Sequence, residues 1–452
     1  MLKKLIGMIK PGKKSPKRFS LKVIPRDLHN VSRKQISPNA VKVLYRLNSA
    51  GYDAFLVGGG VRDLLLGEQP KDFDIATSAT PEQVRAQFNN CRLIGRRFRL
   101  AHVRFGREII EVATFRAGHN KEDDDSPHAA TSDSGQILRD NVYGSQEEDA
   151  LRRDFTVNAL YYNVQDFSIY DYADGMGDIE QRLLRLIGDP ATRYREDPVR
   201  MLRAARFAAK LDFAIEKKTA APIPELGSLL LNIPSARMFE EVLKLFLSGK
   251  AAVTFAILRE LDLFKFLFPA TDAIIRAEHP YALRLVEQAL VNTDERINAD
   301  KPVTPAFLYA AMLWPAAQQY LQRYIEDGLP PVPALHKASQ KVIDAQVKHT
   351  ALPKRFSQPM KEIWELQLRL PRRRGKGVQA LVEHPRFRAA YDFVLLREAS
   401  GEDLQGLGKW WTEFQQGDDK ARRTLQQGQG SEDDKRRPRR RRRYNNKPRQ
   451  PQ

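Results

Sequence analysis

The sequence predicts an α+β fold: a mixed-sheet head followed by all-helical regions, with a basic tail at each end. Three observations carry this. Strand-like and helix-like patterns alternate up to about residue 116. From about residue 196, apolar residues recur at helical spacing, in DPVRMLRAARFAAKL, SARMFEEVLKLFLSG, AVTFAILRELDLFKFLF, YALRLVEQALV and PAFLYAAMLW. The net charge of +19 is confined to the ends. Residues 1–34 hold eleven Lys or Arg against one acid, Asp27; residues 435–452 hold ten basic residues and no acid; the 400 residues between sum to −1. Basic tails around a near-neutral body suit a polyanionic partner.

Each element has a local reason. Ser37 caps a helix that opens at Pro38 and stops at Gly51, with Val41, Val43, Leu44 and Leu47 along its face. YDAFLVGGG reads as a buried strand running into a glycine turn, and VRDLLLG as a short helix after it. FDIAT is the next strand. TPEQVRAQF is a helix with Thr80 as cap, Pro81 first and Gln83 in the reciprocal capping position. AHVRF and EIIEVATF form a hairpin joined at Gly-Arg. Residues 117–150 are polar and turn-rich and read as an excursion. RRDFTVNALYYN returns to order, with a helix expected over TVNALYY behind Asp154. Residues 1–35 read as a mobile arm, and the chain from about residue 417 as too charged to fold alone.

Composition excludes several classes. One cysteine, Cys91, allows no intrachain disulfide or thiolate metal cluster and fits a reducing cytoplasm. No apolar run reaches the ~20 residues of a membrane span, and the apolar stretch of MLKKLIGMIKPGKK is too broken for a signal peptide.

The chemistry centres on KDFDIAT. Residues two apart on a strand face one way, so Asp72 and Asp74 share a side while Phe73 and Ile75 enter the core. Two carboxylates this close repel unless a cation bridges them, and hard oxygen ligands suit Mg²⁺ or Mn²⁺. Two surface acids at a solvated strand end would look the same in DFD alone. Upstream, the glycines of GGGVRD let backbone N–H groups approach a phosphate, and Arg62 adds a charged donor. A phosphate cradle followed by a paired-carboxylate metal site implies a nucleoside triphosphate carrying Mg²⁺. Glu111, on the strand EIIEVATF, and Asp154, beside Arg152 and Arg153, are the further acids. In YREDPVRMLRAARF, Asp197 is expected to cap a helix on which Arg200, Arg203 and Arg206 recur every three residues; a solvated basic face is one reading, and the other has Asp197 and Arg200 meeting a nucleobase edge with Arg203 nearer the phosphates.

Taken in order, LVGGGVRDLLLG, KDFDIAT, GRRFRLAHV, EVATFR, RRDFTVNALYYN and REDPVRMLRAARFAAKL resemble the polymerase β-like nucleotidyltransferases. They are most similar to the bacterial branch shared by tRNA CCA-adding enzymes and poly(A) polymerases. The resemblance covers residues 50–240 and continues more weakly beyond. It implies a nucleotidyltransferase head that adds AMP from ATP to RNA 3′ ends without a template, releases pyrophosphate and promotes RNA turnover. It implies Asp72 and Asp74 as the metal pair, and Asp154 as the third catalytic acid with Glu111 its rival. Gly58, Gly59 and Arg62 become the triphosphate segment, and Asp197, Arg200 and Arg203 the nucleotide-reading set. Two Mg²⁺ ions, replaceable by Mn²⁺, are implied during catalysis.

The domains expected are a basic arm over 1–35, the catalytic domain over 36–190, a base-recognising helical neck over 191–270, a helical RNA-binding region over 271–416 and a disordered Arg-rich tail over 417–452. RNA 3′ ends, ATP and the RNA-degradation machinery are the expected partners, in the cytoplasm. The motif region before Asp154, the Arg-rich tail and the segment LPRRRGKGVQALVEHPRFRAAYDFVLLR favour the poly(A) branch. That segment interleaves arginines with aromatics, a pattern suited to RNA phosphates and bases. CCA addition is the alternative within the class; a non-catalytic RNA-binding protein on an inherited fold is the alternative outside it. No His-Asp dipeptide occurs, so a fused His-Asp phosphohydrolase domain is not expected.

Overall fold

The computed structural model describes residues 20–95, 99–117, 129–131, 137–140, 142–375 and 377–428. The first half of the basic arm and the terminal arginine run lie outside the described residues. The chain forms two compact units, Met1–Ile233 and Pro234–Gln452.

The first unit is built on an eight-stranded mixed sheet. Its strands are β1 (Lys22–Ile24), β2 (Ala54–Val57), β3 (Asp74–Thr77), β4 (Cys91–Ile94), β5 (Leu100–Phe105), β6 (Glu108–Thr114), β9 (Leu160–Tyr162) and β10 (Ile169–Asp171), in the spatial order β1-β10-β9-β2-β3-β6-β5-β4. Two short strands, β7 (Ala129–Thr131) and β8 (Ile137–Asp140), pair apart from it. Only β3 and β6 run parallel within the large sheet. Alternation along the strands sends Leu56, Ile75, Val103, Ile110 and Val112 to one face, where they pack with Val43, Leu44 and Leu47 of α1 (Pro38–Ser49) and with Val61, Leu64 and Val84. Val61 and Leu64 belong to α2 (Gly59–Leu65) and Val84 to α3 (Pro81–Gln87). The caps read from sequence are present: Ser37 accepts from the Asn39 N–H, and Thr80 and Gln83 form the reciprocal pair. On the opposite face Phe55, Val57, Ala76 and Tyr161 gather with Ala150 of α4 (Gln146–Leu151).

Four expectations of local order and secondary structure differ from the structure. Residues 20–35 are ordered: β1 pairs with β10, matching Lys22 to Asp171, and Ser32 and Gln35 close a capping box on a 3₁₀ turn. TVNALYY is not a helix: Thr156–Asn158 is one 3₁₀ turn, and Leu160–Tyr162 is a fully buried strand. Asp197 does not cap its helix, because α6 (Pro190–Glu196) ends there and α7 (Val199–Leu211) begins after Pro198. Beyond residue 417, Asp419–Gly428 is helical, and Leu425 packs on a buried cluster.

The second unit is helical, with Pro305–Glu326, Pro331–Gln346, Lys354–Arg369 and Phe387–Ala399 among its longer helices. The aromatics expected to stack on RNA are core residues instead. Phe387, Tyr391 and Phe393 are all buried, and the Phe387 ring lies edge-on to Trp411 at 5.1 Å. Helical periodicity put them inside; Arg388 stayed out, while Arg397 is buried with them and bonded to Glu402 and Gln367.

Candidate active site

The site grows from the junction of β2, β3 and β6. Val57, the last residue of β2, is paired with Asp74, the first of β3. β3 and β6 are matched Ile75 to Val112, so the preceding positions, Asp74 and Glu111, fall side by side. Asp72 lies just before the strand, exposed, with Phe73 buried between the two acids. The sequence thus placed both aspartates on one side, although only Asp74 is in the strand. The third neighbouring acid is Glu111.

This arrangement is electrostatically uncomfortable. The Asp74 carboxyl is pushed up to about 6. Loss of hydration at the crowded strand end is the largest cause, the Glu111 charge follows, and Asp72 adds to it, while Arg153 pulls the other way. Across β6, His102 sits opposite Glu111, its Nε2 3.1 Å from Oε1. Among the described residues no three His, Cys, Asp or Glu side chains form a ready metal cage. Mg²⁺ commonly keeps water and substrate phosphate oxygens and takes only one or two carboxylates from the protein. The donors present fit such an ion: all are hard oxygens, and their mutual repulsion is what a divalent cation removes.

After Val57 the chain turns at Gly58, with φ 70° and ψ −131°, a conformation open to glycine. A Cβ at Gly58 would lie 3.3 Å from Arg153 Nη1, and one at Gly59 3.4 Å from Arg62 Nη2. Both glycines make room for guanidinium groups. Arg62 itself is 2% exposed. Its Nε donates to Asp63 Oδ1 at 2.8 Å and its Nη1 to Asn158 Oδ1, and its guanidinium lies over the Phe207 ring at 5.3 Å. Asp63 is held in turn by Lys210 of α7 at 3.0 Å. Arg62 therefore braces α2 against α7.

Asp154 is placed differently from the Asp72–Asp74 pair. Its Oδ2 accepts from Arg203 Nε at 2.7 Å, and its Oδ1 accepts from the Phe155 N–H at 2.8 Å and from Asn158 Nδ2 at 3.2 Å. Burial would raise its carboxyl, but Arg203 and these hydrogen bonds outweigh burial and hold it at about 2. The two acids weighed from sequence thus separate: Glu111 neighbours Asp74, and Asp154 neighbours Arg203.

Sequence reasoning missed the density of cations around these acids. Arg153 donates to Asp149 Oδ2 at 3.0 Å and to the Tyr161 hydroxyl at 2.9 Å, which fixes it against Gly58. The Arg152 guanidinium is brought down to about 9, first by burial and then by Arg116, Arg153, Arg193 and Arg200 around it. Arg193 is lowered to about 10, again by burial first and Arg200 second. Arg200 donates to the Arg193 carbonyl at 2.7 Å and to Glu196 Oε2 at 2.9 Å, and that same carboxylate oxygen takes Arg193 at 2.7 Å. Crowded guanidinium groups of this kind call for a polyanion. The signal was the Arg-Arg doublet before Asp154, read only as its neighbours.

Three family models match along the chain: the poly A polymerase head domain over residues 54–185, the probable RNA and SrmB-binding site of polymerase A over 212–275, and the polymerase A arginine-rich C-terminus over 327–445. Poly(A) polymerase I of Salmonella typhimurium is 53% identical over 402 residues, 88% of this chain and 86% of that protein. The CCA-adding enzyme of Pediococcus pentosaceus is 39% identical over 212 residues, 47% of this chain and 51% of that protein. Among solved structures, the Bacillus stearothermophilus CCA-adding enzyme in complex with CTP superimposes with a TM-score of 0.51 at 27% identity, over 82% of this chain and 80% of that one. Similarity to the CCA-adding relative stops at half the chain, whereas similarity to the poly(A) polymerase runs through both units. The chain belongs to the bacterial poly(A) polymerase I family, within the nucleotidyltransferases.

Proposed function

We propose that the unit ending at Ile233 carries out template-independent polyadenylation: AMP is transferred from ATP to an RNA 3′-hydroxyl and pyrophosphate leaves. One observation carries this reading: the strained acid group of Asp72, Asp74 and Glu111 lies beside the arginine-lined glycine turn, in a chain related over most of its length to poly(A) polymerase I.

Asp72 and Asp74 are the residues that would hold Mg²⁺, or Mn²⁺ in its place, and Glu111 completes their negative field. Two such ions, when bound, acidify the attacking hydroxyl and neutralise charge on the departing pyrophosphate. Everything else falls to the protein. Arg153 and Arg152 receive the triphosphate, with Gly58 and Gly59 allowing close approach. Asp154 holds Arg203 in place, and Arg62 and Asn158 lock that pair to α2. Asp197 and Arg200 meet the adenine edge, Arg200 being steadied by Glu196. The substrates are RNA 3′ ends in the cytoplasm, and the tailed RNA passes to the degradation machinery.

The test offers each nucleotide separately, with Mg²⁺, to a generic RNA and to a tRNA lacking CCA. Long tails from ATP alone on the generic RNA are expected. Addition of C, C and A that then stops would replace the reading with CCA addition, and RNA retention without incorporation would leave only a binding protein.

A further inference from the structure

Laterally paired residues of a sheet face the same side, so one row can be followed across it. From the Asp74 and Glu111 positions the row continues through His102 on β5 to Arg92 on β4. The sign of charge along it runs from two acids to an arginine. The next row on that face pairs Ile109 with Arg104. Cys91, Leu93, Val103, Ile110 and Val112 turn to the core, so Arg92, Ile94, Arg104 and Ile109 face away from it. Ile94 is 40% exposed and Ile109 42%, both large for isolated aliphatic side chains on a strand. Arg92 and Arg104 are exposed, and among the described residues their guanidinium groups have no hydrogen bond or ion pair. The same sheet face is covered near β2 and β9, where Val57, Ala76 and Tyr161 pack with α4, whereas over β4–β6 its Arg92, Ile94, Arg104 and Ile109 are exposed.

The reaction supplies the direction. In phosphoryl transfer the attacking and leaving oxygens lie roughly in line on opposite sides of the phosphorus. The cation best placed for the triphosphate, Arg153, is anchored on the β2–β9 side of Asp74, bonded to Tyr161 of β9 and lying against Gly58. The hydroxyl must then arrive from the other side, across β6 and β5. That approach carries two unspent cations with apolar side chains between them, the complement of a single strand's phosphates and its sugars or bases.

We propose that the exposed face of β4, β5 and β6 seats the 3′-terminal nucleotides of the RNA, with Arg92 and Arg104 on the phosphates and Ile94 and Ile109 beneath the sugars and bases. The proposal rests on the polyadenylation reading and adds the path of the acceptor strand to it.

The experiment uses the full chain with a short oligoadenylate primer carrying 4-thiouridine next to its 3′ end. Photocrosslinks are expected on β4, β5 or β6; crosslinks confined to other segments would overturn the proposal. Arg92→Glu with Arg104→Glu should raise KM for the primer about tenfold, and losing two phosphate contacts to a single strand should flatten the salt slope of binding by about 1.4. KM for ATP at saturating primer should not move. An equal rise in KM for ATP, or an unmoved primer KM, would sink the proposal. Asp74→Asn is the separate control: tailing that survives it defeats the polyadenylation site itself, whatever the arginine variants do.

Discussion

Asp74 and Asp154 are aspartates of one compact unit with opposite surroundings. Asp74 stands next to Glu111 and near Asp72, and its carboxyl rises to about 6. Asp154 is bound by Arg203, Asn158 and a backbone N–H, and its carboxyl falls to about 2. The protein has already neutralised the second charge and left the first in want of a cation. An uncompensated carboxylate gains from a nearby cation, whereas a compensated one is already tied to its partner side chains. The arginines repeat the contrast with the sign reversed. Arg62 is sealed by Asp63 and Asn158, whereas burial first and the like charges around it second lower Arg152 to about 9.

The comparison can be broken most directly at Asp74. Asp74→Asn should cut AMP incorporation at least about a thousandfold, since a hard anionic ligand is lost from the reacting centre. Its fold and RNA retention should be unchanged, and Mn²⁺ binding followed by electron paramagnetic resonance should weaken with it. Normal tailing by that variant would end the assignment.

Asp154→Asn should instead act on the scaffold. A carboxyl held at about 2 against an ordinary 3.8 contributes about 2 kcal/mol to stability. Because this pKa is depressed in the folded state, the contribution is complete above pH 4 and lost as pH falls towards 2. Urea denaturation near neutrality should show the loss in the variant. An unchanged midpoint, with metal binding lost instead, would reverse the roles given to the two acids.

A milder test removes the repulsion itself. Glu111→Gln should let the Asp74 carboxyl fall back towards its ordinary range, visible by carbon-13 NMR titration of the metal-free chain. The smallest effect is on pH dependence. Asp74 is raised in the folded state, so the metal-free protein should gain stability as pH drops through 6 towards 4, opposite in sign to Asp154. Mg²⁺ should erase that gain by favouring the ionised form, and a metal-independent profile would show that no ion binds at Asp74.

Much of this site was legible in the sequence because its residues keep strict local spacing. The D-x-D step, the glycine turn and the caps at Ser37 and Thr80 each follow from geometry within a few residues. What the sequence concealed depends on distant partners. Leu160–Tyr162 is buried on both faces and lacks the alternation that marks a strand, so its neighbours in the chain gave it a helical look. β1 was hidden in a run of positive charge, although Val23 and Ile24 are good strand formers. The division of labour between Glu111 and Asp154 turns on which strand lies beside β3 and where α7 lays Arg203. The start of α6 was readable, since Asp189 followed by Pro190 is a helix opening of the same kind as Ser37 followed by Pro38.

The pairing of β1 with β10 also sets a schedule for synthesis. Lys22 leaves the ribosome long before Asp171, its partner in the sheet. Until the later strand emerges, the backbone of the earliest segment has no strand to pair with. The large sheet can therefore be completed only after its last strand is made, with its first strand as an edge, an order that places this non-local pairing late.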